Sequence, residues 1–312
     1  MNLSSENPAS INTPRDPIGI GRKIVSWARI IVELAKVRVT LAVTASTAAG
    51  YVLFAERFTA TMLLPMAGVF LLACGCSALN QIQEAKVDAL MPRTRNRPIP
   101  SGRVDPCVAI FIAGILILLG FFLLSSVERH ILTILLLAGI ATVWYNVVYT
   151  YLKRITPFAV VIGALVGAIP PMIGWSSAGG EMTDPLILLV ASFFFIWQIP
   201  HFWLLLLMRG REYEQAGFAS PTKAFTQPQL FRITFMWILA AAAAGLLIAI
   251  LAQMDISWKL AMFLCSIWLV FKALPFVNVD PSQAPSHLRL AFFQLILYAL
   301  LIVTILCLQA VV

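Results

Sequence analysis

Nine mostly apolar runs constrain this chain more than any other feature. Lipid offers nothing to pair with exposed backbone groups, so a run of about 20 apolar residues is expected to cross a bilayer as a helix. The runs cover approximately 34–54, 60–82, 105–126, 130–150, 157–177, 184–208, 231–252, 256–276 and 288–310. With 60% of residues hydrophobic and only 12% charged, the chain reads as an all-α polytopic membrane protein. Residues 1–28 are polar, rich in Ser, Asn and Pro, and lack the apolar core of a secretory signal, so they are expected to form a disordered cytoplasmic tail before a membrane domain over 29–312. Five cysteines, at 74, 76, 107, 265 and 307, fall mostly inside the runs and match neither a disulfide framework nor a C-x-x-C pair.

Charge sets the orientation. With the amino terminus inside, only Arg57, Arg129 and Lys259 of the 22 Lys and Arg fall outside. The net charge of +8 is therefore a topology signal, and with the basic residues scattered among short loops no nucleic-acid partner is expected.

Against that background the stretch "NQIQEAKVDALMPRTRNRPIPSG", residues 80–102, is conspicuous. Asn80, Glu84 and Asp88 are four apart and fall along one helix face. Carboxylates lined up this way suit Mg²⁺, a hard cation usually held by one or two carboxylates plus substrate phosphates. Arg93 and Arg97 follow, and guanidinium forks bind phosphate oxygens in pairs. A solvated loop obeying the positive-inside rule would explain the arginines but not Glu84 and Asp88. Lys86 and Arg95 read as surface charges.

Two further cytoplasmic segments are expected to face this one. "YTYLKRITP", residues 149–157, supplies Lys153 and Arg154 as a diphosphate clamp. "RGREYEQAG", residues 209–217, offers Arg211 and Tyr213 as further diphosphate ligands and Glu212 as a third metal ligand, although short Glu/Arg loops are common enough to be solvated surface instead. The apolar helices beneath would accommodate a lipid tail. Pro170 and Pro171 are expected to break or kink the fifth run.

The first stretch resembles the N-x-x-x-D-x-x-x-D plus R-T-x-x-R-P signature of the UbiA superfamily of intramembrane prenyltransferases, matched by Asn80, Glu84, Asp88, Arg93, Thr94, Arg97 and Pro98. More narrowly, "YTYLKR", "GALVGAIPPMIGW", "WQIPHFW" and "EYEQAG" are similar to the protohaem IX farnesyltransferases, from about residue 33 to the carboxyl terminus. The resemblance implies a nine-helix bundle of UbiA type whose cavity opens to the cytoplasm or matrix, two acidic motifs holding Mg²⁺, and transfer of farnesyl from farnesyl diphosphate to a vinyl group of haem b, giving haem O. It implies catalytic roles for Asp88, Glu84 and Lys153, and metal ligation by Glu84, Asp88 and Glu212. Diphosphate binding falls to Asn80, Arg93, Arg97, Arg154, Arg211 and Tyr213. It implies a product handed to a haem A synthase or terminal oxidase. The amino-terminal tail, with acidic Glu6 and Asp16, is unlike a transit peptide, so a bacterial inner-membrane location is expected. Glu84 and Glu212 stand where the family more often has Asp, and "FASPTKAF", residues 218–225, replaces its usual Pro-Met-Leu-Pro.

His201 reads first as a hydrogen-bonded structural residue beside Pro200 and second as a haem contact. The rival functions are a prenyltransferase acting on an aromatic acid or quinone precursor, and a transporter. A transporter would place its ionisable residues near the bilayer midplane on broken helices; here the acids gather at one face.

Overall fold

The computed structural model describes residues 17–219, 221–277 and 284–312. The helices are α1 (Pro17–Ala35), α2 (Val37–Ala55), α3 (Leu63–Asp88), α4 (Pro106–Ser125), α5 (Ile131–Val143), α6 (Thr150–Leu152), α7 (Ala159–Gly163), α8 (Leu165–Ala178), α9 (Pro185–Gln215), α10 (Pro221–Ala224), α11 (Gln227–Leu251), α12 (Ile256–Ala273) and α13 (Ala284–Val311). A π-helical turn, Trp144–Tyr149, joins α5 to α6. Among the described residues nine segments are long and apolar enough to span a membrane: α2, α3 with its leading turn, α4, α5–α6, α7–α8, α9, α11, α12 with its trailing turn, and α13. They coincide with the nine apolar runs of the sequence.

Two spans outlast their apolar runs at the charged end. α3 continues to Asp88 and α9 to Gln215, so the polar motifs ride on unbroken helix. Local signals fix several helix starts: Asp105 and Asp184 each accept a hydrogen bond from the amide two residues on, with Pro106 and Pro185 at the first helical position. The fifth span departs from expectation. Pro170 and Pro171 lie inside α8, and the discontinuity comes earlier, at Ala164 between α7 and α8.

Residues 1–16 lie outside the described residues. From Pro17 the chain is helical, so the second part of the stretch read as tail contributes α1. This helix buries Leu34 and Ala35 while Val25, Trp27, Ile31 and Val32 are exposed, too mixed a pattern to register as a spanning run. Its end is held by Gln81, whose amide donates to the carbonyls of Glu33 and Leu34 at 2.8 and 2.9 Å, and by an ion pair of Glu33 with Arg103. Lys36 then turns the chain through the left-handed region, φ 49°, into α2.

α3 lies along α4, and α2 lies along α8. The second contact is backbone on backbone: a Cβ at Gly50 would overlap the Pro171 carbonyl, and one at Gly174 would overlap the Thr47 carbonyl. The largest buried apolar cluster, including Phe193, Leu204, Ile238, Leu295 and Tyr298, joins α9, α11 and α13. Leucine and phenylalanine on the outer faces, such as Phe111, Leu118, Phe122 and Leu132, remain exposed, as helices facing lipid require.

Candidate active site

The polar stripe of α3 opens onto a cavity of about 370 Å³ bounded by α2, α3, the π-turn, α7, α8 and α9. Its charged end is lined by Lys36, Asn80, Glu84, Asp88, Arg97 and Lys153, with Arg93 at its edge. Deeper in, Val43, Val69, Leu72, Ile169 and Ile173 make the walls apolar.

Each carboxylate on the stripe already has a cation. Arg97 Nη1 lies 2.6 Å from Asp88 Oδ2, and Lys153 Nζ pairs with Glu84 Oε1. Asp88 is 2% exposed and Glu84 6%, so these pairs escape the solvent screening that makes surface pairs weak. Asn80 is used at both ends: its Oδ1 accepts from Lys36 Nζ at 2.9 Å and its Nδ2 donates to Thr150 Oγ1 at 3.0 Å. Thr150 Oγ1 in turn donates to the Tyr145 carbonyl at 2.9 Å, across the wide π-turn. That turn is the kind of helical irregularity that often sits at functional sites. Here it sets Tyr145 and Tyr149 against the cavity, their rings stacked 6.0 Å apart, with Lys153 Nζ 5.1 Å from the centre of the Tyr149 ring.

Beyond α3 the chain folds into a tight turn. Thr94, 1% exposed, donates through Oγ1 to the Asp88 carbonyl at 2.8 Å, and the Thr94 and Arg95 amides both donate to the Met91 carbonyl. This satisfies the end of the helix and brings Arg97 back over Asp88. Lys86 and Arg95 are exposed.

Lys36 also lines the cavity, from a helix junction that no sequence motif marks. Burial is the main cause that pushes its pKa from the ordinary lysine value down to about 7, with Arg97 and then Lys153 adding to the effect and Glu84 and Asp88 opposing it. Sequence reasoning passed over Tyr145 and Tyr149. The signal available for them was their spacing of four from each other and from Lys153.

Four of the expected ligands stand elsewhere. On α9, Tyr213 lines the cavity, and its neighbour Glu212, about 100° around the helix, pairs with Arg209 at 3.4 Å. Arg211 is exposed. Arg154 donates to the Gln83 carbonyl at 3.0 Å, bracing α3 from outside. His201 is also not in the cavity lining: its ring is stacked between Trp197 and Phe292, with centres 5.0 and 4.7 Å away. The structure thus gathers Asn80, Glu84, Asp88, Arg93, Arg97, Lys153 and Tyr213, and leaves Glu212, Arg154, Arg211 and His201 outside the lining.

Among the described residues no three His, Cys, Asp or Glu side chains cluster closely enough to hold a metal ion by themselves. The donor set at the cavity mouth is two buried carboxylates one helical turn apart, surrounded by cations suited to phosphate. That suits Mg²⁺, which keeps open positions for water and for substrate oxygens.

Residues 40–307 match the UbiA prenyltransferase family. A protoheme IX farnesyltransferase from Nitratidesulfovibrio vulgaris strain DP4 is 34% identical over 273 residues, covering 87% of this chain and 94% of the relative. In fold the chain is similar to a solved digeranylgeranylglyceryl phosphate synthase, with TM-score 0.74 at 15% identity over 91% of this chain and 98% of the other. It is also similar to a UbiA homologue from Archaeoglobus fulgidus bound to GPP and Mg²⁺, with TM-score 0.60 at 12% identity over 88% of this chain and 99% of the other.

Proposed function

The chain belongs to the UbiA prenyltransferase family, and we propose that it transfers a farnesyl group from farnesyl diphosphate to a vinyl group of haem b, giving haem O and diphosphate. The observation that carries the reaction class is the gathering of Glu84 and Asp88 with Arg97, Lys153 and Lys36 at the mouth of an apolar cavity within the membrane spans. The relatives' named activity carries the acceptor.

Glu84 and Asp88 would hold the metal ion through carboxylate oxygens. When bound there, Mg²⁺ neutralises the diphosphate and favours its departure. The ion pairs of the ligand-free site define what the side chains do next. Arg97 and Lys153, which pair with Asp88 and Glu84, would hold phosphate oxygens beside those carboxylates. Arg93 adds charge at the mouth, Lys36 adds a hydrogen-bond donor, and Tyr213 adds a hydroxyl. Together they stabilise the negative charge that builds on the leaving oxygens as the carbon–oxygen bond breaks. Val69, Leu72, Ile169 and their neighbours line the cavity, where they would exclude bulk water from the allylic carbon while the vinyl π electrons form the new bond.

The distribution of the 22 Lys and Arg supports a mouth on the cytoplasmic face, and the bacterial relatives support a bacterial inner membrane. Residues 29–312 act as one transmembrane unit, and the lipid-soluble product passes to a haem A synthase or terminal oxidase. Membranes containing the protein, given farnesyl diphosphate, haem b and Mg²⁺, should form haem O, detectable by mass, and a chelator should abolish it. Prenylation of an aromatic acid in its place would keep the reaction and move the acceptor to the quinone branch.

A further inference from the structure

Gln198 is out of keeping with its surroundings. It lies within the α9 span and lines the cavity together with the apolar Val166, Leu205 and Leu206. Among the described residues its side-chain amide makes no hydrogen bond to protein, although an unsatisfied amide in a hydrocarbon setting is costly. Its position is enforced rather than incidental. A Cβ at Gly167 would overlap Gln198 Oε1, and a Cβ at Gly163, one turn earlier on the same face, would overlap the Tyr149 ring. The two glycines form a seat that lets an amide and an aromatic ring press side by side against the backbone. Phe202, one turn on from Gln198, closes the group with its ring centre 6.4 Å from that of Tyr149.

The chemistry of this position narrows what it holds. An amide is neutral and both donates and accepts, so it is not an anion clamp; the cations at the mouth serve that purpose. The prenyl chain and the vinyl edge of the acceptor offer only carbon. The remaining reactant with a neutral donor and acceptor is water.

We propose that Gln198, seated on Gly167, positions the water that completes the reaction, an inference that rests on the reading above. In that step the carbon–oxygen bond of farnesyl diphosphate breaks with its electron pair leaving on diphosphate. The vinyl π pair forms the carbon–carbon bond, leaving a cation on the carbon next to the porphyrin ring. A lone pair of the held water closes on that carbon, and the water's proton passes to the released diphosphate. Without a held water the same cation loses a proton to diphosphate and becomes an alkene, so Gln198 governs a branch point.

The test is the product ratio made by membranes containing Gln198→Leu, resolved by mass. The hydroxylated farnesyl haem should fall relative to the product lighter by one water by about tenfold, the effect of one lost hydrogen bond on a branching ratio. Gly167→Ala, which displaces the amide without removing it, should shift the ratio the same way. An unchanged ratio in both variants overturns the proposal, since a purely structural role lowers turnover without altering the branch. Loss of every haem product in Gln198→Leu, with farnesyl diphosphate still consumed, also overturns it and assigns the residue to acceptor binding. Failure of the wild-type membranes to make any haem product would instead overturn the acceptor reading itself.

Discussion

Asp88 and Glu84 are buried charges, and each is paired with a cation, Arg97 and Lys153, that also lines the cavity. Asp88→Asn and Glu84→Gln keep size and hydrogen bonding but remove the charge a hard cation needs; turnover should fall by about 100-fold or more while the protein still purifies as a folded membrane protein. Arg154→Ala and Arg211→Ala, whose side chains lie outside the cavity lining, should stay within about fivefold of wild type, in contrast to Arg97→Ala. An Arg154 or Arg211 variant as inactive as Arg97→Ala would mean that the diphosphate sits elsewhere. Lys36 offers a pH signature. A lysine with its pKa lowered to about 7 is mostly neutral, hence nucleophilic, above that pH, whereas ordinary lysines become so only near pH 10. Competitive acylation followed by peptide mass mapping should give Lys36 a midpoint near 7 in the ligand-free protein, and added diphosphate should protect it.

At the scale of the element, the site depends on helices meeting more closely than ordinary side chains allow. α2 carries Lys36 at its start and α8 forms the opposite wall of the cavity, so the Gly50 and Gly174 contacts set the width between them. Gly174→Val should push the two backbones apart, lowering the thermal midpoint in detergent by the equivalent of about 1–3 kcal/mol and reducing activity without any loss of a charged group. An unchanged midpoint would show that α8 can shift freely, contrary to the tight fit. The π-turn works the other way. It widens one turn of helix so that Thr150 can tie Asn80 to the Tyr145 carbonyl, with Tyr145, Tyr149 and Lys153 all lining the cavity.

For the whole molecule, the spans put every charged group of the site at one end and the apolar depth behind it. Sidedness is then measurable. In a Cys107→Ala background, Arg154→Cys should react with a membrane-impermeant thiol reagent only in inside-out vesicles, and Arg57→Cys only in right-side-out ones. The reverse pattern would invert the topology and put the site outside the cell. The spans themselves were legible because lipid imposes a length and a composition on any helix that crosses it. α1 was not, since an amphipathic helix lying beside the bundle meets neither requirement and its anchor, Gln81, comes from a distant part of the chain.

The sequence by itself determined the nine spans and the stripe of Asn80, Glu84 and Asp88, because hydropathy and a spacing of four are local properties that survive without knowledge of neighbours. It also pointed to the arginines behind the stripe, since Pro92 and Thr94 reshape the chain within a few residues. Only the tertiary structure decided which charges enter the cavity. Glu212 and Tyr213 are adjacent in the chain yet part company because a helix turns about 100° per residue, and Lys153 and Arg154 separate for the same reason. Lys36 joins the site from a helix junction that no motif marks, and Gln198 faces the cavity because two glycines on another helix leave room for it. Those placements depend on how one helix rotates against the next, and that rotation is fixed by packing across the bundle.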